Sequence, residues 1–197
     1  MRRGKFIAFE GLDGSGLSTQ AEMLRNYLQK RGYEVVLTKE QSNGLIGGLI
    51  KSGLKGEWKV SPLALQLLFT ADRAQHIERE IMPALEKGKI VISDRYVLST
   101  LAFGSMDIDM DFLKLINSKF IKPDITFIID TDPEICIERI KKSRFHAELF
   151  EDLEKMEKVR ENYRKLQNHF PNTFVINGNY NKAKVFETIK RIVDKIL

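Results

Sequence analysis

The sequence predicts an α/β fold with three layers, in which a five-stranded parallel sheet is flanked by helices. Three observations lead to this class: short apolar runs alternate with longer helical stretches, the runs are apolar almost throughout, and helix start signals lie between them. Nearly continuous apolar runs are typical of strands that are buried on both faces of a parallel sheet. The alternation of strands with helices is typical of such a sheet covered by helices on both faces.

Five short segments rich in β-branched and aromatic residues predict the strands. They cover residues 6–9, 35–38, 90–93, 125–129 and 173–177. In open sheets of this class, ligands bind outside the carboxyl ends of the strands. Polar residues that directly follow these segments are therefore the first candidates for a functional site.

Capping residues predict where helices begin and end. N-cap residues, two of them followed by proline at the first helical position, stand at Ser61-Pro62, Asp132-Pro133 and Asn181. We expect the helix after Asn181 to be the last one and to run to about Lys195. The first helix is expected to begin near Ser18 and to end near Arg31, because Gly32 stands where a C-terminal glycine is common.

Composition narrows the class of protein. The chain has 197 residues, and we expect residues 1–197 to form a single domain. No apolar run approaches the ~20 residues of a membrane-spanning helix, and the N-terminal run is too short for a signal peptide. The single cysteine, Cys136, excludes an intramolecular disulfide. Together these absences fit a cytoplasmic protein, and we expect no membrane partner. The net charge of +5 suits anionic ligands, but lysines on solvated helix faces give the same total.

A glycine-rich segment follows the first predicted strand. It reads Gly11-Leu12-Asp13-Gly14-Ser15-Gly16-Leu17-Ser18-Thr19. A phosphate-binding loop requires Gly, four residues, Gly, Lys and then Ser or Thr. Gly11, Gly16 and Ser18 are in register with this pattern, but Leu17 replaces the lysine. Glycines let such a loop turn its N–H groups towards a phosphate, although a glycine-rich turn that binds nothing also fits the segment.

Two further pairs of residues point to a site. Asp94 and Arg95 follow the third predicted strand, either as a structural ion pair or as a magnesium-binding carboxylate beside a guanidinium that contacts phosphate. Phe69 and Arg73 are four residues apart on one predicted helix, so they share a face where a ring can stack on a base. Considered singly, Phe69 is an ordinary core residue and Arg73 an ordinary solvated one.

Together these segments resemble the thymidylate kinases, a family in the nucleoside monophosphate kinase group of P-loop enzymes. The similarity runs through nearly the whole chain, over residues 9–20, 68–73, 91–103, 122–130, 150–151 and 159–163. Its most specific part is Asp94-Arg95-Tyr96 with the continuation Ser99-Thr100-Leu101-Ala102-Phe103. The resemblance implies a P-loop kinase fold with a short, charged lid at about residues 141–150.

On the donor side, the resemblance implies that ATP is bound by the loop and by one arginine. The loop residues that would hold its phosphates are Gly11, Asp13, Gly14, Ser15, Gly16, Leu17, Ser18 and Thr19. Ser18 and Asp94 would bind Mg²⁺ as the cofactor, and Arg139 would stack on the adenine.

On the acceptor side, the resemblance implies contacts with dTMP. Asp13 would accept a hydrogen bond from the 3′-hydroxyl of the deoxyribose, and Lys39 would meet the phosphate. Phe69 would stack on thymine, and Arg73 would bind its exocyclic oxygen. Further contacts with the base or the sugar are implied for Ser99, Thr100 and Tyr163.

The resemblance assigns the chemical step to three residues. Asp94 and Arg95 would lie at the junction of the two substrates, with Arg95 bridging their phosphates. Arg144, in the lid, would close over the γ-phosphate. Arg144 is also our candidate for the cation that replaces the lysine missing at Leu17.

We therefore expect a homodimeric enzyme that transfers the γ-phosphate of ATP to dTMP, giving dTDP and ADP. The chain departs from the family pattern at Leu17, at Gly104 and at Lys39-Glu40-Gln41, where Arg-Glu-Pro is usual. The alternatives are a catalytically impaired nucleotide-binding protein of the same fold and a kinase for another nucleoside monophosphate. No nucleic-acid-binding motif accompanies the basic composition, so a nucleic-acid partner is not expected.

Overall fold

Five parallel strands form the centre of the structure, a computed structural model that describes residues 4–143 and 152–197. The strands are β1 (Lys5–Gly11), β2 (Val35–Lys39), β3 (Ile90–Asp94), β4 (Ile125–Asp130) and β5 (Thr173–Asn177). They lie in the order β2-β3-β1-β4-β5, and every pairing is parallel. The five predicted strands are confirmed, each within two residues of its predicted bounds.

Helices connect the strands. They are α1 (Leu17–Lys30), α2 (Leu45–Leu54), α3 (Pro62–His76), α4 (Met82–Glu86), α5 (Val97–Gly104), α6 (Met110–Asn117), α7 (Pro133–Ser143), α8 (Leu153–Leu166) and α9 (Lys182–Ile196), with one π-helical turn, Ile77–Ile81, between α3 and α4. Within residues 4–143 and 152–197, none of the helices combines the length and the apolar character that crossing a bilayer requires.

The predicted helix termini agree with the structure. Ser61 and Asn181 accept hydrogen bonds from backbone N–H groups of the first turns of α3 and α9, as N-cap residues do. Gly32 follows α1 with a φ of +85°, a conformation that favours glycine. The helices α1 and α9 end at Lys30 and Ile196, each one residue from the predicted end.

Each central strand contributes to two separate cores. Phe6 and Ala8 of β1 belong to the buried cluster that α5 and α8 cover. Ile7 and Phe9 of the same strand belong to the cluster that α1 and α9 cover. Successive residues of a strand point to opposite faces of the sheet, so an unbroken apolar run fills both cores. The predicted arrangement of three layers is confirmed.

The loop between β1 and α1 packs directly against α7. Gly14 and Gly16 have φ values of +76° and +103°, which explains why both positions are glycine. A Cβ atom on Gly14 would lie 2.5 Å from the backbone oxygen of Cys136 and 2.9 Å from Cγ1 of Ile140. A larger residue at position 14 therefore cannot be accommodated unless α7 moves away from the loop.

The sheet brings the carboxyl ends of its strands to one edge. Asp94, the last residue of β3, is paired in register with Lys39 on one side and with Phe9 on the other. The glycine-rich loop leaves the same edge from Gly11 at the end of β1. The polar residues that follow the predicted strands therefore converge at the top of the sheet, where ligands of such folds bind.

Candidate active site

The glycine-rich loop has the features of an anion-binding site. It leads into the N-terminus of α1, whose N-cap residue Gly16 offers no side-chain hydrogen bond to the first turn. The unpaired N–H groups and the dipole of a helix N-terminus attract negative charge. Ser18 and Thr19 lie in this first turn with exposed side chains, and Ser15 is buried within the loop.

Leu17 is an apolar and largely buried residue at the position of the phosphate-binding lysine. Its side chain is 5 % exposed and packs with Ile7, Phe9 and Ala21 in the core beneath α1. The position that carries the lysine in the phosphate-loop pattern is therefore a core position in this chain. Any cation that serves the phosphates must come from another part of the structure.

Arg95 links the loop to the helices on the other side of the site. Its Nη1 donates to the backbone oxygen of Gly11 at 2.8 Å and to Ser99 Oγ at 3.1 Å, and its Nη2 donates to Asp13 Oδ1 at 2.6 Å. Nη1 also lies 3.4 Å from the Tyr163 hydroxyl on α8. Four predicted site residues, Asp13, Arg95, Ser99 and Tyr163, are thus brought together.

The guanidinium of Arg95 stays charged in this setting. Burial lowers its pKa, but the carboxylates of Asp13, Asp94 and Glu10 raise it, and the pKa is higher than that of an exposed arginine. Its backbone has a φ of +74°, in the left-handed region that residues other than glycine rarely adopt. A permanent positive charge therefore lies against Gly11 and Asp13.

Two oxygen donors meet between the loop and β3. Ser18 Oγ, in the first turn of α1, donates a hydrogen bond to Asp94 Oδ2 at the end of β3. Mg²⁺ prefers oxygen ligands and is usually held by one or two protein groups, with water and substrate phosphates completing its coordination. The pair of Ser18 and Asp94 fits this requirement. Among the described residues, no group of three or more His, Cys, Asp or Glu side chains forms a fuller metal site.

Arg73 is buried rather than solvated, which corrects the expectation drawn from its helix alone. It is 1 % exposed. Its Nε donates to both carboxylate oxygens of Glu40, at 3.1 Å and 2.9 Å, its Nη1 donates to Asn117, and its Nη2 donates to Thr100 Oγ1 at 2.9 Å. The surrounding charge and hydrogen bonds compensate for the loss of water.

The half-buried ring of Phe69 lies one turn before Arg73 on α3. Thr100, which binds Arg73, follows Ser99, which binds Arg95, in α5. The predicted base-binding residues are therefore adjacent to the predicted phosphate-binding ones. Lys39 is exposed at the end of β2.

Arg139 lines a separate cavity on the other side of the loop. Its guanidinium donates to the backbone oxygens of Ser15, at 3.3 Å, and Gly178, at 3.1 Å. The cavity has a volume of about 270 Å³ and is lined by Ser15, Gly16, Thr19, Gln20, Arg139, Gly178, Tyr180, Lys182 and Val185. Arg144, the predicted lid residue, lies outside the described residues.

Sequence reasoning missed three polar residues that hold the site. Glu10 in β1, Glu40 after β2 and Asn117 at the end of α6 are all buried. Glu10 interrupts an otherwise apolar strand, and this interruption is a signal that the sequence does contain. Asn117 carries no such signal, because its partner Arg73 is 44 positions away.

Comparison with known proteins identifies the family. The sequence profile described as thymidylate kinase matches residues 9–189, which is most of the chain. The chain belongs to the thymidylate kinase family. A probable thymidylate kinase of Thermococcus kodakarensis is 40% identical, with 98% of each chain covered, and one of Pyrobaculum aerophilum is 43% identical, with 95% of this chain and 97% of the relative covered. A thymidylate kinase of Thermoanaerobacter sp. is 36% identical over 99% of this chain and its own full length.

Membership defines the class of enzyme. Thymidylate kinases are ATP-dependent nucleoside monophosphate kinases, a type of transferase. The five-stranded parallel sheet with flanking helices is the P-loop kinase fold expected of this family.

The buried pair of Arg73 and Glu40 generates a stability prediction. Glu40→Gln should lower the free energy of unfolding by about 3–5 kcal/mol, because it leaves the Arg73 guanidinium buried without its counter-charge. Lys114→Ala, which breaks an exposed pair with Asp111, is the control and should cost no more than about 1 kcal/mol. Urea unfolding at neutral pH measures both values. Equal losses in the two variants would contradict the role assigned to the buried pair.

Proposed function

We propose that this chain transfers the γ-phosphate of ATP to dTMP, giving dTDP and ADP. The observation that carries the proposal is the position of Arg95, whose guanidinium contacts both the phosphate loop and the α5 residue Ser99. Relatives that bear the thymidylate kinase name match almost the whole chain, which favours this activity over a nucleotide-binding protein with impaired catalysis. We also propose a cytoplasmic location and a single functional domain.

The donor nucleotide is assigned to the loop and the cavity beside it. The N–H groups around Gly16 and the first turn of α1 suit the phosphates. The cavity lined by Arg139 and Tyr180 suits the adenine, because a planar base can stack on a guanidinium and on a phenol ring. Ser18 and Asp94 would hold Mg²⁺, which neutralises charge on the phosphates when it is bound.

The acceptor dTMP is assigned to the space between α3 and α5. Phe69 offers an accessible ring for thymine, and Arg73 and Thr100 lie beside it. Asp13 and Tyr163 lie near Arg95, where the sugar and the phosphate of dTMP would come closest to the loop. Lys39, exposed at the end of β2, would meet the phosphate of dTMP.

Catalysis rests on positioning and on charge. Phosphoryl transfer asks little covalent chemistry of a protein, and most of the acceleration comes from alignment of the substrates and stabilisation of the transferring group. Gly11 and Asp13, both protein groups, orient the Arg95 guanidinium. A charge that is fixed in advance costs no reorganisation during the reaction.

The assignments of Phe69 and Arg73 predict how the acceptor is selected, because a stacking ring beside a donor to the exocyclic oxygen of the base suits thymine. In an assay of ADP release with ATP and Mg²⁺, dTMP should be preferred over dCMP, dGMP and UMP. Phe69→Ala should raise the KM for dTMP about tenfold or more and leave the KM for ATP nearly unchanged, because stacking on a base contributes about 1–3 kcal/mol. Phe186→Ala, which removes a half-buried ring that contacts Tyr27 in the α1–α9 layer, is the matched control. Equal turnover of dTMP and dCMP would contradict the assignment.

The core position of Leu17 predicts that a lid cation supplies the missing charge. Arg144→Ala should reduce kcat strongly, with Lys142→Ala second, and Leu17→Lys should restore part of the loss, because two cations that serve one phosphate are not additive. Lys195→Ala, at the far end of α9, controls for the loss of a surface charge. Strictly additive effects of Leu17→Lys and Arg144→Ala on kcat would contradict the proposal that a lid cation replaces the missing lysine. Absence of dTDP from the wild type at every Mg²⁺ concentration would favour the non-catalytic alternative.

Exposed leucines support the proposed homodimer. Five of them lie on helices α2, α3 and α6, namely Leu45, Leu49, Leu63, Leu67 and Leu115. Leu63 and Leu67 are one turn apart on the same face of α3, so they form a continuous apolar strip.

The strip predicts how the assembly can be broken. Leu63→Asp combined with Leu67→Asp should halve the mass measured by light scattering, because an interface that buries carboxylates is strongly disfavoured. Val175→Asp, at an exposed apolar position on the edge strand β5, is the control and should keep the wild-type mass. A wild-type mass equal to that of one chain would contradict the dimer.

A further inference from the structure

Glu10 is a buried carboxylate that has no role in the reaction as proposed above. It is the penultimate residue of β1 and is 1 % exposed. A buried carboxylate is costly unless hydrogen bonds compensate for the lost water. Glu10 has two such bonds: Oε1 accepts from the backbone N–H of Leu98 at 3.0 Å, and Oε2 accepts from Ser99 Oγ.

Both bonds go to the first turn of α5. The N-cap residue of this helix, Tyr96, offers no side-chain hydrogen bond of its own. Glu10, in strand β1, supplies the missing cap of α5, and its negative charge suits the positive end of the helix dipole. The carboxylate therefore ties α5, which carries Ser99 and Thr100, to the strand that leads into the phosphate loop.

The ionised carboxylate also sets the direction of the neighbouring hydrogen bonds. Ser99 has one hydroxyl hydrogen, and it donates this hydrogen to Glu10, because an ionised carboxylate can only accept a hydrogen bond. Ser99 Oγ must then accept from Tyr163, whose hydroxyl lies 2.9 Å away, and from Arg95 Nη1 at 3.1 Å. Burial raises the pKa of the Tyr163 hydroxyl, so it remains protonated and able to donate. Arg95 thus faces oxygen atoms with free lone pairs.

We propose that Glu10 is a positioning residue for phosphoryl transfer, whose ionised carboxylate orients the Ser99 hydroxyl so that Ser99 and Tyr163 hold the Arg95 guanidinium over the phosphate loop. The proposal rests on the function proposed above for Arg95. Protonated Glu10 can donate to Ser99, whose hydrogen is then free to turn towards the guanidinium. The same exchange occurs when glutamine replaces the glutamate, because its amide nitrogen donates.

The groups that face Glu10 determine where it ionises. They are Ser99 on α5, Tyr96 before α5, Tyr163 on α8, Arg95 after β3, Arg73 on α3 and Glu40 after β2. Burial raises the pKa of Glu10 to about 7, and the bond from Ser99 and the two arginines only partly oppose this effect. The oriented form of the site is therefore present above about pH 7 and is lost as the pH falls below it.

The test compares Glu10→Gln with the wild type in kcat and in its dependence on pH. We expect kcat to fall about tenfold or more at pH 8, since hydrogen bonds to charged groups are among the strongest in proteins. We also expect the ratio of wild-type kcat to variant kcat to fall towards low pH, because only the wild type has an ionised Glu10 to lose. Substrate phosphates titrate in both proteins, so the ratio of the two profiles isolates the contribution of Glu10.

Two further variants separate orientation from simple helix capping. Ser99→Ala leaves the bond between Glu10 and Leu98 in place but removes the connection to Arg95, and it should reproduce the loss of kcat. The double variant Glu10→Gln with Ser99→Ala should lose little more kcat than either single variant, because both substitutions break the same connection to Arg95. Asp124→Asn is the matched control: this carboxylate accepts the Phe6 N–H at 2.8 Å at the other end of β1, and its loss should leave the pH profile unchanged.

The outcomes distinguish this proposal from the one on which it rests. If Arg95→Ala loses kcat but Glu10→Gln keeps both the wild-type kcat and its pH profile, the positioning role of Glu10 is wrong. If Arg95→Ala keeps the wild-type kcat, the bridging role of Arg95 is wrong. If Glu10→Gln does not fold, Ser99→Ala decides alone, and a wild-type kcat in that variant overturns the proposal.

Discussion

The contacts of the Arg95 guanidinium are the interaction on which the arrangement of the site depends. This side chain leaves the end of β3, crosses over β1 and binds the loop, while α5 and α8 hold it from the other side through Ser99 and Tyr163. The parallel sheet makes this possible, because β3 and β1 are neighbours that end at the same edge. Arg95 therefore connects the loop, the end of β3 and the two helices through one charged group.

The local sequence pattern was sufficient to predict the helices and strands, whereas the contacts of the buried polar side chains became known only from the structure. Continuous apolar runs identified the strands because such runs need burial on both faces, and Ser61 and Asn181 identified helix starts because capping acts within a few residues. The environment of Arg73 was predicted wrongly. Its helix alone indicates exposure, but Glu40 and Asn117 reach it from 33 and 44 positions away. The π-helical turn after α3 was also absent from the prediction.

The candidate site was predicted more fully than the network that supports it. The loop, Asp94, Arg95, Phe69 and Arg73 could be named as candidates, because their spacing and their resemblance to a known family can be recognised in the sequence alone. Glu10 and Asn117 contact other side chains instead, and a single sequence gives no measure of how strongly such contacts constrain a position. Leu17 is the opposite case, because the position of the lysine in the phosphate-loop pattern belongs to the core in this chain.

The packing of Gly14 against α7 has a practical consequence for following motion in this enzyme. Cys136 is the only cysteine in the sequence, and its backbone oxygen lies against the loop at Gly14. Burial raises the pKa of its thiol to about 12, so the sulfur is both shielded and protonated, and its reaction with alkylating reagents is slow. The rate of thiol modification therefore provides an intrinsic measure of how often this part of the core opens, without any introduced label.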